Sequence, residues 1–185
     1  TKNQQNNAQK AVSMLNGVSA PSWYDDYVDF DFTKSNNPLS LEQMRNALTY
    51  LDTHNNIRKA NGQSELSISL RMTAAAVLNA SYSSNIWGHS NVYWDNAENL
   101  ASGGGAYTGG DTIDTLGWPY TGLYTQEKAE FEKYVAKYGE DLENHRYDSW
   151  YIYNKYPDVS NKCGHYLNII DQDAEAFGVG TGSGK

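Results

Sequence analysis

Apolar side chains at Leu41, Met44, Leu48 and Leu51 recur at three- and four-residue intervals, the period of one helical face. Pro38 breaks the chain just before them, and Ser40-Leu-Glu-Gln43 reads as a capping box. The pattern predicts a helix from residue 41 to a stop at Asn61-Gly62. A second helix is predicted over 69–85, with Leu70, Ala74, Val77 and Leu78 as its core stripe. Its alanines imply close packing. A short helix over 7–15 runs through Ala8, Val12 and Leu15. A further helix starts at Thr125, as N-cap, and ends at Gly139. On it Glu127, Phe131, Tyr134 and Tyr138 share a face, so a carboxylate sits among aromatics. Burying a lone carboxylate is expensive, and Glu127 therefore needs a partner.

The pattern changes in CGHYLNIID, residues 163–171. Tyr166, Leu167, Ile169 and Ile170 form a β-branched and aromatic run, with Gly164 before it and Asp171-Gln-Asp173 after it. This predicts a strand buried on both faces, turning at 171–174 into a partner strand over 175–180. Asp171, Asp173 and Glu175 alternate as in a calcium loop, but no bidentate glutamate follows at the required position. A hairpin turn is the better reading. Residues 23–32 mix aromatics with Asp25, Asp26, Asp29 and Asp31, as a strand or a strap. Without regular ligand spacing these aspartates read as a solvated face. Residues 86–124 are loop-rich, and residues 141–162, polar and full of tyrosine, read as irregular.

Composition narrows the class. The 185 residues suffice for one domain with a real core. Hydrophobic residues make up 39% and charged residues 19%, and the difference is filled by Asn, Ser, Thr, Gly and 15 tyrosines. That suits a hydrated surface and excludes a coiled coil or a disordered acidic tail. A net charge of −8 without a Lys/Arg cluster lacks the footprint of a duplex-binding or anionic-lipid-binding protein. The single cysteine, Cys163, allows no internal disulfide. It lies beside His165, but a usable thiolate needs a partner across space, so a buried small residue is favoured over a nucleophile. No apolar run reaches the roughly 20 residues needed to span a bilayer.

Two of the four histidines follow a glycine in apolar surroundings: His89 in IWGHSNVYW and His165 in the predicted strand. With Glu98 in NAENLA and Glu127, they form a set of two imidazoles and two carboxylates. Taken singly, each has a plain explanation: a turn residue, a loop cap, a first-turn acid favoured by the helix dipole, a satisfied core histidine. Taken together, they are the ligand types of zinc and similar divalent ions. They would equally serve general acid/base chemistry. The gaps between them are too long for a local motif.

HNNIRKANG at 54–62, WGHS at 87–90, AENLA at 97–101, LYTQEK at 123–128 and CGHYLNII at 163–170 resemble, in order, the motifs of the CAP superfamily, also called SCP/PR-1-like. The resemblance covers roughly 41–185, leaving 1–40 as an N-terminal extension. It implies an α+β fold, an α/β/α sandwich with a small, mostly antiparallel sheet between helices. It also implies a cleft holding His89, Glu98, Glu127 and His165, catalytic if the protein is an enzyme, with His89 and His165 as metal ligands. The cofactor expected is a divalent metal ion such as zinc.

The chain departs from the disulfide-rich members and resembles the cysteine-poor Gram-positive branch, which implies secretion or cell-surface display. Leu123 stands where an aromatic is common. A further C-terminal piece is expected beyond GVGTGSGK. Three functions follow. The first is cation binding with recognition of a ligand or cell-surface partner. The second is a metal- or Glu-dependent hydrolase, a protease before a nuclease given the negative charge. The third is an adhesive module with a vestigial cleft, suited by the tyrosines. Ser90, beside His89, has no nucleophile elbow or triad around it and reads as a turn residue.

Overall fold

Small polar side chains start four of the helices by accepting backbone N–H groups that no helical turn can satisfy. Thr1 accepts from Gln4 and opens α1 (Lys2–Leu15). Ser40 accepts from Gln43 and opens α3 (Leu41–Ala60). Ser69 accepts from Met72 and opens α4 (Leu70–Ser83). Asp148 accepts from Tyr151 and opens α7 (Ser149–Lys155). The other helices are α2 (Tyr24–Tyr27), α5 (Glu127–Tyr138), α6 (Glu140–Asn144) and α8 (Pro157–Ile170). A π-helical stretch, Thr121–Gln126, leads into α5. Two short strands, β1 (Ser67–Ile68) and β2 (Ala176–Phe177), complete the order. The structure is a computed structural model and describes residues 1–92, 97–103 and 116–182.

The α+β class holds: the described residues are mostly helical, with a small two-stranded sheet. The strands run parallel, with Ser67 opposite Ala176 and Ile68 opposite Phe177, where a mostly antiparallel sheet was expected. The reason lies in the pairing partners. Residues 175–180 do not fold back on 163–170 but meet a strand more than a hundred residues upstream, so no hairpin forms.

The chain divides into two compact units. The first comprises Thr1–Leu51, Leu66–Asn96 and Glu175–Lys185. In it α1 packs on α4, which buries Ala74, Ala75, Val77 and Leu78. Ala11 is the buried residue of α1, whereas Val12 of the predicted stripe faces solvent. Residues 28–34 form a strap. Its Asp29 and Asp31 accept the N–H groups of Asp31 and Thr33, and Lys34 pairs with Asp29 at 2.6 Å, so these carboxylates shape turns on a solvated face. After β2, glycines 178, 180 and 182 alternate along the chain. A Cβ at 178 or 180 would run into the backbone of α4, and one at 182 would meet Pro38 Cγ at 2.6 Å. The C-terminal strap lies that close to the helix.

The second unit comprises Asp52–Glu65 and Ala97–Ala174. Here α5 and α7 pack on α8, around Phe131, Leu142, Ile152, Val159, Cys163 and Tyr166. Two sequence readings are corrected. Residues 163–170 are helical, not a strand: Tyr166, Leu167, Ile169 and Ile170 are buried in the helix, so these β-formers find there the burial a strand would offer. Residues 141–162, read as irregular, hold most of α6, all of α7 and the start of α8. Asp141 organises them, accepting from the Tyr156 hydroxyl at 2.5 Å, the Tyr151 hydroxyl at 3.1 Å and Lys155 at 2.9 Å. The Tyr156 hydrogen bond is the main reason its carboxyl is held down at about 2.

The helix α3 also turns a different face inward. Leu41 and Leu48 are 66% and 52% exposed, while Ala47, Tyr50, Thr53, His54, Ile57 and Arg58 are buried. His54 and Arg58 are hydrogen-bonded there, apart from one Arg58 nitrogen, Nη2, and those bonds are what make their burial tolerable. His54 Nδ1 lies 3.3 Å from the buried Tyr120 hydroxyl. Burial first, and the Arg58 charge second, push the His54 imidazole down to about 3. In the unfolded chain it titrates near 6.5, so between these values the unfolded state binds a proton the folded state refuses. The associated stability is complete above about pH 6.5 and is lost as pH falls toward 3. Lowering the pH from 7 to 5 is expected to remove about 2 kcal/mol through this group alone. Comparing denaturant unfolding of the parent and His54→Gln at the two pH values checks this: the variant should lose correspondingly less, and an equal loss in both refutes it.

Candidate functional site

The site grows out of a break in α8. Cys163 has φ −125° and ψ 20°, outside the helical region, so the helix restarts after it. The first N–H groups of a restarted helix need partners other than the preceding turn, and an anion is favoured there. Glu127 supplies both. Its Oε2 accepts the Tyr166 N–H at 3.0 Å, and its Oε1 lies 2.5 Å from His165 Nδ1. The partner required by a carboxylate on the aromatic face of α5 is therefore the start of the second half of α8.

This contact fixes the imidazole. A carboxylate takes the Nδ1–H, which leaves the lone pair on Nε2. The His165 side chain is 36% exposed and Glu127 18%, so the pair is reachable at the histidine end and enclosed at the glutamate end. A histidine whose Nδ1 is held by a carboxylate is the usual arrangement of a metal ligand or of an acid/base residue.

Three further side chains hold the same half-helix. Asn99 donates its Nδ2–H to the His165 carbonyl at 3.1 Å and accepts from Asn168 at 2.9 Å. Arg146 donates to the Tyr166 hydroxyl at 2.8 Å while pairing with Glu132 and Glu143. At the far end Arg58, fully buried, donates from Nη1 to the carbonyls of Ile169 at 3.0 Å and Asp171 at 2.8 Å, and from Nε to Ser64 at 2.7 Å. An anion at the start and a cation at the end match the helix dipole at both ends.

Of the four residues singled out from sequence, the structure brings Glu127 and His165 together. Glu98 is half-buried in the second unit and directly precedes Asn99. His89 belongs to the first unit, half-buried in the turn after α4. Beside it Ser90 is buried, donating to Asn79 at 2.7 Å and accepting the Val92 N–H, which is the turn role expected for it. Cys163 is buried and free, and its thiol is pushed up to about 12, by burial first and by Glu127 and Glu130 next. It carries no thiolate near neutral pH, which removes the Cys/His nucleophile reading. Parts of the loop-rich 86–124 segment, residues 93–96 and 104–115, lie outside the described residues.

Sequence reasoning missed Asn99, Asn168, Arg146 and Arg58. Asn168 stands three residues after His165, the spacing of one helical face, a signal hidden once the segment is read as a strand. Among the described residues no group of three or more His, Cys, Asp and Glu is arranged to hold a metal ion. No described helix is long and apolar enough to cross a membrane.

Compared with known families, residues 51–185 match the one described as CAP, the cysteine-rich secretory protein family. No curated protein and no solved structure matches the chain.

Proposed function

The chain belongs to the CAP, or cysteine-rich secretory protein, family, and from that premise we propose that it is a secreted or cell-surface module whose His/Glu site takes a divalent cation and recognises a ligand or partner. The observation that carries the reading is the 2.5 Å contact between Glu127 and His165 Nδ1. It presents Nε2 as a donor with its tautomer already set, as a borderline ion such as zinc requires. The family resemblance assigns His89 as the second imidazole. A bound cation would supply positive charge for a carboxylate, phosphate or carbonyl of the ligand. Secretion rests on the habits of the family.

The same contact supports a second reading, a hydrolase in which His165 accepts a proton from water while Glu127 holds the imidazole in place. Peptide substrates suit it better than nucleic acids, because the chain carries a net charge of −8.

Calorimetric titration of metal-stripped protein with Zn²⁺ near neutral pH is the test. The parent should bind, His89→Ala/His165→Ala should not, and Glu127→Gln should bind about 10- to 100-fold more weakly, the usual loss when the carboxylate behind a metal-binding histidine is removed. Equal binding by parent and double variant, or none by the parent, removes the cation from the proposal.

A further inference from the structure

Asn99 lies in a stretch without regular secondary structure, residues 97–103, yet both ends of its side-chain amide are engaged on α8. The two contacts are directional. The His165 carbonyl can only accept, so it requires the amide nitrogen. Asn168 donates from its own nitrogen, so it requires the amide oxygen. Residues 165 and 168 share one face of the helix, the face that carries the imidazole. Asn99 therefore docks its segment on the His165 face of α8. Both contacts fall within one helical turn, about 5.4 Å, so the segment is anchored beside His165 along α8.

From this geometry we infer that Asn99 is a positioning residue for His165: a latch, oriented by Asn168, that holds the 97–103 segment over the imidazole and governs how openly Nε2 is presented. It deepens the function proposed above and rests on His165 being the working imidazole of that site. The latch acts on the histidine from the main chain, opposite in kind to Glu127, which acts on the ring. Glu127 chooses the tautomer and Asn99 sets access.

The inference can be tested without any ligand, by the rate at which diethyl pyrocarbonate acylates each histidine of the native protein, followed by peptide mass spectrometry. His145, on a different element and 36% exposed, is the internal reference. Asn99→Asp is the decisive variant. It keeps the size and the acceptor offered to Asn168 but loses the donor and sets an oxygen against the His165 carbonyl. His165 is expected to react about fivefold faster in both Asn99→Ala and Asn99→Asp, the effect of one lost hydrogen bond, with His145 unchanged. Asn168→Ala should give a smaller rise at His165 only. An Asn99→Asp rate equal to the parent's overturns the latch, because packing volume alone would then suffice. A parallel rise at His145 overturns it too, since the variant would then have loosened the whole unit. Zinc plays no part in these rates, so failure of cation binding and failure of the latch are read separately.

Discussion

Arg58→Lys is expected to lower the unfolding free energy by about 3 kcal/mol, although it conserves charge. Arg58 is fully buried and reaches three carbonyls from two nitrogens: Nε to Ser64, and Nη1 to both Ile169 and Asp171. A lysine ammonium can follow one branch of that fork, not both. Each charge-assisted hydrogen bond lost is worth about 1.5–3 kcal/mol, and the Ile169 carbonyl, on a buried residue, is the one least able to find another donor. Part of the loss is offset because one guanidinium nitrogen, Nη2, has no partner among the described residues and its burial is costly already. For a chain of this size the melting temperature should fall by about 6–12 °C. Lys59, next in sequence but exposed and paired with the exposed Glu65, is the control. Lys59→Ala should move the transition by very little, as surface pairs do. If thermal unfolding shows Arg58→Lys within a degree of the parent, the capping of α8 by this side chain contributes nothing measurable.

The second large effect belongs to the C-terminal strap. Gly178→Ala and Gly180→Ala should each cost about 3 kcal/mol, at or above the upper end for overpacking. The added methyl would meet main-chain atoms of Met72 and Thr73 in one case and of Ala76 and Val77 in the other. A flexible side chain could swing aside; the backbone of a packed helix cannot. Gly122→Ala, where nothing lies within 4 Å and φ is not positive, should be neutral or stabilising by a few tenths of a kcal/mol. Melting curves read the stability, and limited proteolysis reads whether residues 175–182 come free. Equal melting temperatures for all three variants would mean that the strap does not lie against α4 as described.

The sequence disclosed the elements whose signals are local. Ser40 and Ser69 start helices where their capping chemistry says they should. Glu127 announced that it needs a partner, because it stands one turn from Phe131 on the same face. What hid was everything decided by distant contacts. Leu41 and Leu48 have the period of a core stripe and are exposed, while Thr53, His54 and Arg58 look like surface and are buried. Hydrogen bonds to groups far along the chain make that inversion affordable, and no window of sequence contains them. The helices of 141–162 had legible starts, Asp148 as N-cap and Pro157 at the first turn of α8, but the tyrosines between them masked the period. Resemblance to a family put Glu127 and His165 in one cleft, and their direct contact is seen only in the structure.

Residues 165–170, His-Tyr-Leu-Asn-Ile-Ile, carry strong β-forming character, no proline and little charge. Those are the attributes of a segment that stacks into intermolecular zippers when released. In the native chain they are held as a helix, with Glu127 at one end and Arg58 at the other, and mostly buried. The two charged side chains therefore also act as guards against self-association. Keeping α8 folded is thus also what keeps this hexapeptide from presenting itself to another chain.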